Sequence, residues 1–169
     1  MKIYIVGSVG SGKTTLARKV ARKLQIAHFE TDNFVWTHQP TGDIRNEPEV
    51  RDYLLLEAIN RDAWVIEGVH IDWTDAGLEE SDQIIFLDIP FRKRTWRIVL
   101  RFIRQLLKIE KANYQPTFTI FRRMFKWNIY FENEMKPVFL VKFNKYEKKV
   151  HTLRTDKEVE GWLNQLERG

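Results

Sequence analysis

The sequence of 169 residues contains no cysteine. This absence excludes a disulfide framework, a zinc site built on thiolates and a cysteine nucleophile, and it agrees with a reducing compartment. Long apolar runs are also missing, since none approaches the roughly 18 residues that a membrane-spanning helix needs. The opening residues, MKIYIVG, carry one lysine and too short an apolar run for a secretory signal. We therefore expect a cytoplasmic protein without a membrane-spanning segment.

The chain also lacks internal repeats, low-complexity tracts and flexible linkers, so its length predicts one domain over residues 1–169. Its 28 lysines and arginines exceed its 23 aspartates and glutamates, for a net charge of +5. The excess is concentrated, because residues 91–150 hold 16 basic and 4 acidic residues while the remainder is acidic. We expect this segment to bind an anion. A nucleotide, a nucleic acid and a membrane surface are the candidate partners.

Five short apolar runs, separated by segments with helical spacing, predict strands and helices that alternate around a parallel sheet. The predicted strands are 2–6, 27–31, 64–66, 84–89 and 150–153. The predicted helices include 13–24, 96–109, 118–131, 138–146 and one capped by Thr155. In the helix 96–109, one side carries Trp96, Val99, Ile103 and Leu106.

The strongest motif is GSVGSGKT at residues 7–14, which matches the phosphate-binding pattern G-x-x-x-x-G-K-[ST] in full. An apolar strand precedes it and an amphipathic helix follows, which is the context that the pattern requires. Its glycines let successive N–H groups point into one concavity, Lys13 supplies charge for the outer phosphates, and Thr14 offers a hydroxyl to Mg²⁺. The candidate nucleotide-binding residues here are Gly7, Ser8, Val9, Gly10, Ser11, Gly12, Lys13, Thr14 and Thr15.

Two acidic residues follow predicted strands, at the sheet edge where open α/β folds bind ligands. Asp32 is a candidate to accept a proton from an attacking hydroxyl or to hold a water on Mg²⁺. Glu67 is a candidate to bind a Mg²⁺-bound water or the acceptor. A solvated acid at a strand end is the alternative for both. His70 lies nearby, but a lone histidine is more often structural or solvated.

Arginines recur at helical spacing in the basic segment. Arg97 and Arg101 share one helix face at i, i+4, where like charges repel slightly. Such a row is easier to explain if it meets phosphates, although a solvated cationic face is the alternative. Arg122 and Arg123 form a second cluster and are candidates for the substrate site.

With these motifs the chain resembles the P-loop small-molecule kinases, the family of adenylate kinase and shikimate kinase. The Asp-x-Pro that ends a strand in adenylate kinases is Asp88-Ile89-Pro90 here. The two family arginines that follow it at nine and thirteen residues fall on Arg97 and Arg101. The resemblance implies an α/β, three-layer fold with a five-stranded parallel sheet of order 2-3-1-4-5 and a helical lid over about 91–149.

The resemblance also implies ATP and Mg²⁺ as ligands. It makes Lys13, Asp32, Arg97 and Arg101 the catalytic group, with Thr14 and Asp32 toward the metal. Arg97 and Arg101 would also contact the nucleotide, and Arg154 corresponds to a segment beside the adenine.

A kinase-like group labelled "topology modulation protein" is the nearest resemblance. It shares the start GSxGSGKTTLA, the segment DNFVW at 32–36 and an acid–glycine pair after the third strand. Its label implies an effect on DNA. Because the acceptor segment lacks the arginines of adenylate kinase, AMP is not the expected acceptor. Trp36 and Arg45 are candidates to line a different acceptor pocket.

We therefore expect an ATP-dependent phosphotransferase that acts on a small hydroxyl or phosphate compound, as a monomer or homodimer. A nucleotide-dependent DNA-binding regulator is the alternative, because aromatic residues lie among the basic ones in 118–130. At helical spacing such aromatics are more often core. A membrane-surface helix over 92–109 is a third reading, but a lid explains the same pattern and no membrane partner is expected.

Overall fold

Five parallel strands form the central sheet of the computed structural model, which describes residues 1–37, 39, 42–107, 109 and 117–166. The strands are β1 (Lys2–Gly7), β2 (Ala27–Glu30), β3 (Trp36–Thr37), β4 (Ile44–Arg45), β5 (Trp64–Gly68), β6 (Gln83–Leu87) and β7 (Val150–Leu153). The large sheet has the order β2-β5-β1-β6-β7, and the short β3 and β4 form a separate antiparallel pair. Among its five strands this is the predicted order 2-3-1-4-5, and the α/β class is confirmed. The β3–β4 pair was not predicted.

Helices cover both faces of the sheet. They are α1 (Lys13–Leu24), α2 (Asp32–Val35), α3 (Pro48–Ile59), α4 (Asp75–Glu80), α5 (Phe91–Leu106), α6 (Phe118–Tyr130), α7 (Lys136–Phe143) and α8 (Asp156–Gln165). A π-helical segment, Phe131–Met135, joins α6 to α7, and a 3-10 helix, Asn144–Lys149, leads into β7. The cap predicted for α8 is present, because the Thr155 hydroxyl accepts a hydrogen bond from the Glu158 N–H.

The strands alternate their side chains between two cores, as the pleat requires. On one face Tyr4 and Phe86 pack with aromatic residues of the π-helical segment and α7. On the other face Ile5 and Ile85 pack with buried residues of α1 and α8, such as Leu16 and Trp162. The result is the expected three-layer arrangement, with the carboxyl ends of β1, β5 and β6 at one edge.

The helix α5 begins at Phe91, five residues before the start predicted for it, directly after Pro90. Trp96, Ile103 and Leu106 share one side as predicted, yet they are 61%, 44% and 54% exposed. The side that faces the body carries the buried residues Arg94, Ile98 and Gln105.

The expectation that the aromatic residues of α6 belong to the core is wrong for three of them. Phe118, Trp127 and Tyr130 are exposed. Phe121 and Phe125 are half-buried, and the Phe121 ring stacks on Phe102 of α5 at 4.5 Å between centroids. The physical reason is that α6 turns Met124 and Asn128 inward instead. Residues 108 and 110–116 of the predicted lid lie outside the described residues.

No helix of the described chain is both long and apolar enough to cross a membrane.

A buried arginine joins α5 to the π-helical segment. Arg94 is 1% exposed and forms an ion pair with Glu132. Its guanidinium carbon lies 5.2 Å from the centroid of the Phe131 ring. Burial lowers the pKa of Arg94, and the Glu132 carboxylate opposes that shift. The pair therefore compensates a buried charge that would be costly alone.

We predict that Arg94→Ala lowers the free energy of unfolding by about 3 kcal/mol, because it removes the buried partner of Glu132, which keeps only Lys136 at 3.3 Å, and empties buried volume. Urea denaturation followed by circular dichroism measures the change. Arg104→Ala, an exposed position on the same helix, is the control and should change stability by less than about 0.5 kcal/mol. Equal effects of the two variants would contradict a supporting role for the Arg94–Glu132 pair.

Candidate functional site

The phosphate-binding loop, residues 7–14, runs from the end of β1 into the start of α1. Gly10 and Gly12 have φ of 75° and 96°, in the left-handed region that favours glycine. A Cβ on Gly10 would lie 2.8 Å from the backbone oxygen of Arg94. The loop therefore needs glycine there both for its own conformation and for the close approach of α5.

A buried carboxylate lies beside this loop. Glu67, near the end of β5, is 2% exposed. Its Oε2 lies 3.4 Å from Nζ of Lys13, and its Oε1 accepts a hydrogen bond from the Thr14 hydroxyl. The structure thus brings together the two residues of the loop predicted to meet phosphate and metal with the acid predicted from β5.

The glycine after this acid has a packing reason. A Cβ on Gly68 would clash with Oγ1 of Thr31, the residue directly after β2. The acid–glycine pair of the sequence therefore reflects two separate constraints. Glu67 pairs with the loop, and Gly68 makes room for the neighbouring strand end.

Arg97 of α5 reaches the loop from its other side. Its Nη1 donates to the backbone oxygen of Ser11 at 2.9 Å, and its Nη2 donates to Asp156 at the start of α8. Lys93 also contacts Asp156, at 2.8 Å. Hydrogen bonds from Lys93 and Arg97 lower the pKa of the Asp156 carboxyl, with Lys93 the larger cause. Arg97 therefore lies at the phosphate-binding loop, and Arg101 lies one turn further along α5, exposed.

A second helix contacts the loop through a residue that sequence reasoning missed. Asn128 of α6 is fully buried and accepts a hydrogen bond from the Ser8 hydroxyl at 3.3 Å. Its amide donates to Thr95 of α5 at 3.1 Å. A single asparagine in a helix forms no local pattern, so only the fold reveals it. Arg122 and Arg123 of the same helix are exposed.

Asp32 lies at the start of α2 and pairs with a histidine. Its Oδ1 is 3.0 Å from Nε2 of His70, and the His70 ring lies 5.2 Å from that of Trp73. The Thr74 hydroxyl donates to the backbone oxygen of His70 at 3.0 Å. The structure therefore joins Asp32 to His70, while the Thr14 hydroxyl binds Glu67. Sequence reasoning gave His70 no role because it stands alone in the chain.

Trp36 and Arg45 are brought together by the β3–β4 pair, where they are register partners. Both are exposed. Arg45 lines a groove that extends to Arg51, whose guanidinium carbon lies 4.6 Å above the Trp73 ring. Arg45 and Arg51 therefore line one groove, and each lies beside a tryptophan.

Arg154 follows β7 and contacts the Asp-x-Pro motif. Its Nε lies 3.4 Å from Oδ2 of Asp88. Lys136 holds the other oxygen of Asp88 at 2.6 Å.

Three side chains of β2 and β5 have ligand atoms close enough together to hold one metal ion. Ligand atoms of His28, Glu30 and Glu67 all lie within 4.8 Å of one another. Cations already contact both acids, since Arg18 lies 3.1 Å from Glu30 and Lys13 contacts Glu67. Within the described part of the chain the buried Nε2 of His28 has no hydrogen-bond partner. Burial lowers the pKa of His28 and so disfavours its protonated form in the fold.

Comparisons with known proteins support the fold rather than an activity. No family model matches the chain. The "Uncharacterized protein YqaC" of Bacillus subtilis (strain 168) is 32% identical over 88 residues, 52% of this chain and 49% of that protein. The match thus spans about half the length of this relative.

Two solved structures are similar to nearly the whole chain. "Shikimate kinase from Acinetobacter baumannii in complex with shikimate" has a TM-score of 0.52 and 19% identity, covering 97% of this chain and 89% of that one. The shikimate kinase from Aquifex aeolicus vf5 has a TM-score of 0.48 and 15% identity, covering 98% and 92%. The first likeness shows that the chain has the fold of the P-loop small-molecule kinases.

We predict that His28 makes stability depend on pH. Its pKa is lowered from 6.5 in the fold, so the unfolded chain binds the extra proton first as pH falls. The free energy of unfolding therefore decreases as pH drops below about 6.5 toward the folded pKa. Urea denaturation at neutral and at mildly acidic pH measures this decrease. The free energy of unfolding should fall less between the two pH values for His28→Gln than for the wild type. His151→Gln, at an exposed position, should retain the wild-type loss, and the same result for His28→Gln would contradict this account.

Proposed function

We propose that this chain transfers the γ-phosphoryl group of ATP to a small-molecule acceptor. One observation carries the proposal: Lys13 and Thr14 of the phosphate-binding loop converge on the buried carboxylate of Glu67. A nucleoside triphosphate with its metal requires a lysine, a hydroxyl and an acid, here placed at the carboxyl edge of a parallel sheet.

The loop itself suits phosphate. Ser11 is buried, and its hydroxyl has no hydrogen-bond partner among the described residues. The first N–H groups of α1 also lack partners within the helix and favour an anion there. A phosphate would satisfy these donors, which supports nucleotide binding at residues 7–14.

Thr14 and Glu67 fit Mg²⁺, because hydroxyl and carboxylate oxygens are the ligands that this ion prefers. We propose that these two residues hold it, directly or through water. Bound there, Mg²⁺ would neutralise charge on the phosphate oxygens. Asp32, predicted to share this role, pairs with His70 instead, and we propose it for the acceptor side.

The chain's own residues have separate roles in the phosphoryl transfer. Lys13 exchanges Glu67 for the outer phosphate oxygens, and Arg97 and Arg101 stabilise the charge that develops there. The acceptor oxygen forms a bond to the γ-phosphorus as the bond to the leaving ADP oxygen breaks. Asp32 accepts the acceptor's proton, oriented by His70. The basic helices close over the site and exclude water, which would otherwise take the phosphoryl group.

The acceptor is a hydroxyl or phosphate compound, including the nucleoside-like class. Trp36 and Arg45 lie together on β3 and β4 and supply an aromatic face and a cation for it. Arg122 and Arg123 would reach it on closure. Arg154, held near Asp88 beside β7, would lie by the adenine.

A nucleotide-dependent DNA-binding regulator, in line with the topology modulation resemblance, is the second candidate. The exposed arginines of α5 and α6 support it. We do not favour it. Contacts to DNA phosphates would account for these arginines but not for the apolar residues exposed beside them.

We predict that Lys13→Ala weakens binding of ATP with Mg²⁺ by roughly tenfold or more, because a charge-assisted contact to phosphate is lost. Isothermal titration calorimetry measures this. Lys19→Ala on the same helix, whose side chain pairs with Glu160, is the matched control and should leave the affinity unchanged. Equal affinities for both variants and the wild type would place the nucleotide elsewhere.

We predict that phosphorus NMR on a panel of hydroxyl and phosphate compounds detects at least one phosphorylated product. Asp32→Asn should lower that transfer by about 10²- to 10⁴-fold, the range of a general base, without changing the affinity for ATP. Asp62→Asn, an exposed acid in another loop, should transfer at the wild-type rate. If water alone accepts the phosphoryl group across the panel, the kinase proposal fails.

A further inference from the structure

We propose that the outward side of the α5–α6 helix pair docks on an anionic lipid surface. This inference is independent of the proposed function. It rests on an apolar stripe that α5 turns to solvent, on the charge of both helices, and on the way the pair is attached to the body.

The apolar stripe consists of long side chains at helical spacing. Trp96, Ile103 and Leu106 of α5 are 61%, 44% and 54% exposed, and Leu107, which caps the helix end, is 64% exposed. On a helix these positions fall within about a third of the circumference, since each residue advances by about 100°. Isolated exposed apolar residues are ordinary, whereas a continuous row on one helix side marks a surface for interaction.

The stripe points away from the body of the protein. The opposite side of α5 carries Arg94, Ile98 and Gln105, all buried. Arg97, on the flank, is held against the phosphate-binding loop. The helix therefore cannot turn its apolar side inward without breaking these contacts.

The second helix extends the same surface. α6 packs on α5 through the stacked rings of Phe102 and Phe121. It exposes Phe118 and Ile129, at 65% and 48%. The two helices together thus present apolar groups over more than one helix width.

The charge of the pair has a single sign. The segments of α5 and α6 contain nine lysines and arginines and no aspartate or glutamate. Arg94 and Arg97 are turned toward Glu132 and Asp156 of the body. Apart from Arg101, Arg122 and Arg123, which the proposed function places toward the nucleotide and the acceptor, the exposed cations are Arg92, Arg104 and Lys126.

An anionic bilayer matches both properties of this surface. Its interface accepts tryptophan and aliphatic side chains while its headgroups attract the flanking arginines. A second copy that docked through the same face would bring two acid-free surfaces together, which is repulsive. Nucleic acid would satisfy the arginines but leave Ile103, Leu106 and Leu107 uncovered. The pattern is that of a helix lying on a membrane rather than spanning it.

Vesicle flotation of the full chain tests the proposal. We expect binding to phosphatidylcholine vesicles that contain phosphatidylglycerol, little binding to phosphatidylcholine alone, and weaker binding at high salt. Arg92→Gln and Arg104→Gln should each weaken binding about fivefold. Trp96→Ser combined with Leu107→Ser should weaken it roughly tenfold or more, because less apolar area is buried.

A matched control uses another exposed apolar pair. Tyr53→Ser with Leu56→Ser on α3, where both residues are exposed, should leave vesicle binding unchanged, and circular dichroism should show that every variant is folded.

No binding to anionic vesicles at low salt would overturn the proposal. So would loss of binding in the α3 control. A duplex DNA affinity that depends on the arginines but not on the apolar stripe, without vesicle binding, would overturn it in favour of nucleic acid. A dimer that the stripe variants dissociate, again without vesicle binding, would overturn it in favour of self-association.

Discussion

The pairing of one buried carboxylate with the phosphate-binding loop is the constraint on which the site depends. Glu67 is almost fully buried, and a buried charge without partners would be strongly destabilising. Its partners, Lys13 and Thr14, lie more than fifty residues earlier in the chain. Their contact requires β1 and β5 to be neighbours in parallel register, with Val6 opposite Gly68. The loop, the sheet order and the candidate metal ligands are therefore one interdependent arrangement.

The same loop determines where the basic helices lie. Arg97 donates to the backbone of Ser11, and Asn128 accepts from Ser8. These contacts attach α5 and α6 to the loop, with Ile98 and Met124 buried on the same side of the pair. The exposed apolar residues of the stripe take no part in that packing. The cations nearest the loop serve phosphate in our account, while those on the outer side remain available to a different anion. One charged segment can thus contribute to two functions.

The sequence predicted the parts of the structure that local patterns determine. The loop needs glycine at defined positions, the strands need short apolar runs, and Thr155 caps the last helix as its spacing indicated. The side of α5 that faces the body was not predictable, because its buried residue Arg94 is matched by Glu132, 38 residues away. His70 and Asn128 were missed for the same reason. Each stands alone in the chain, and its partner is supplied only by the fold.

The most direct test of the central claim is a crystal structure with a non-hydrolysable ATP analogue and Mg²⁺. Our account predicts the terminal phosphates within residues 7–14, with Lys13 moved from Glu67 to the phosphate oxygens. The metal should lie between Thr14 and Glu67, and open space should remain beside Asp32. An analogue bound elsewhere, or a Lys13–Glu67 pair that persists with nucleotide present, would contradict the account.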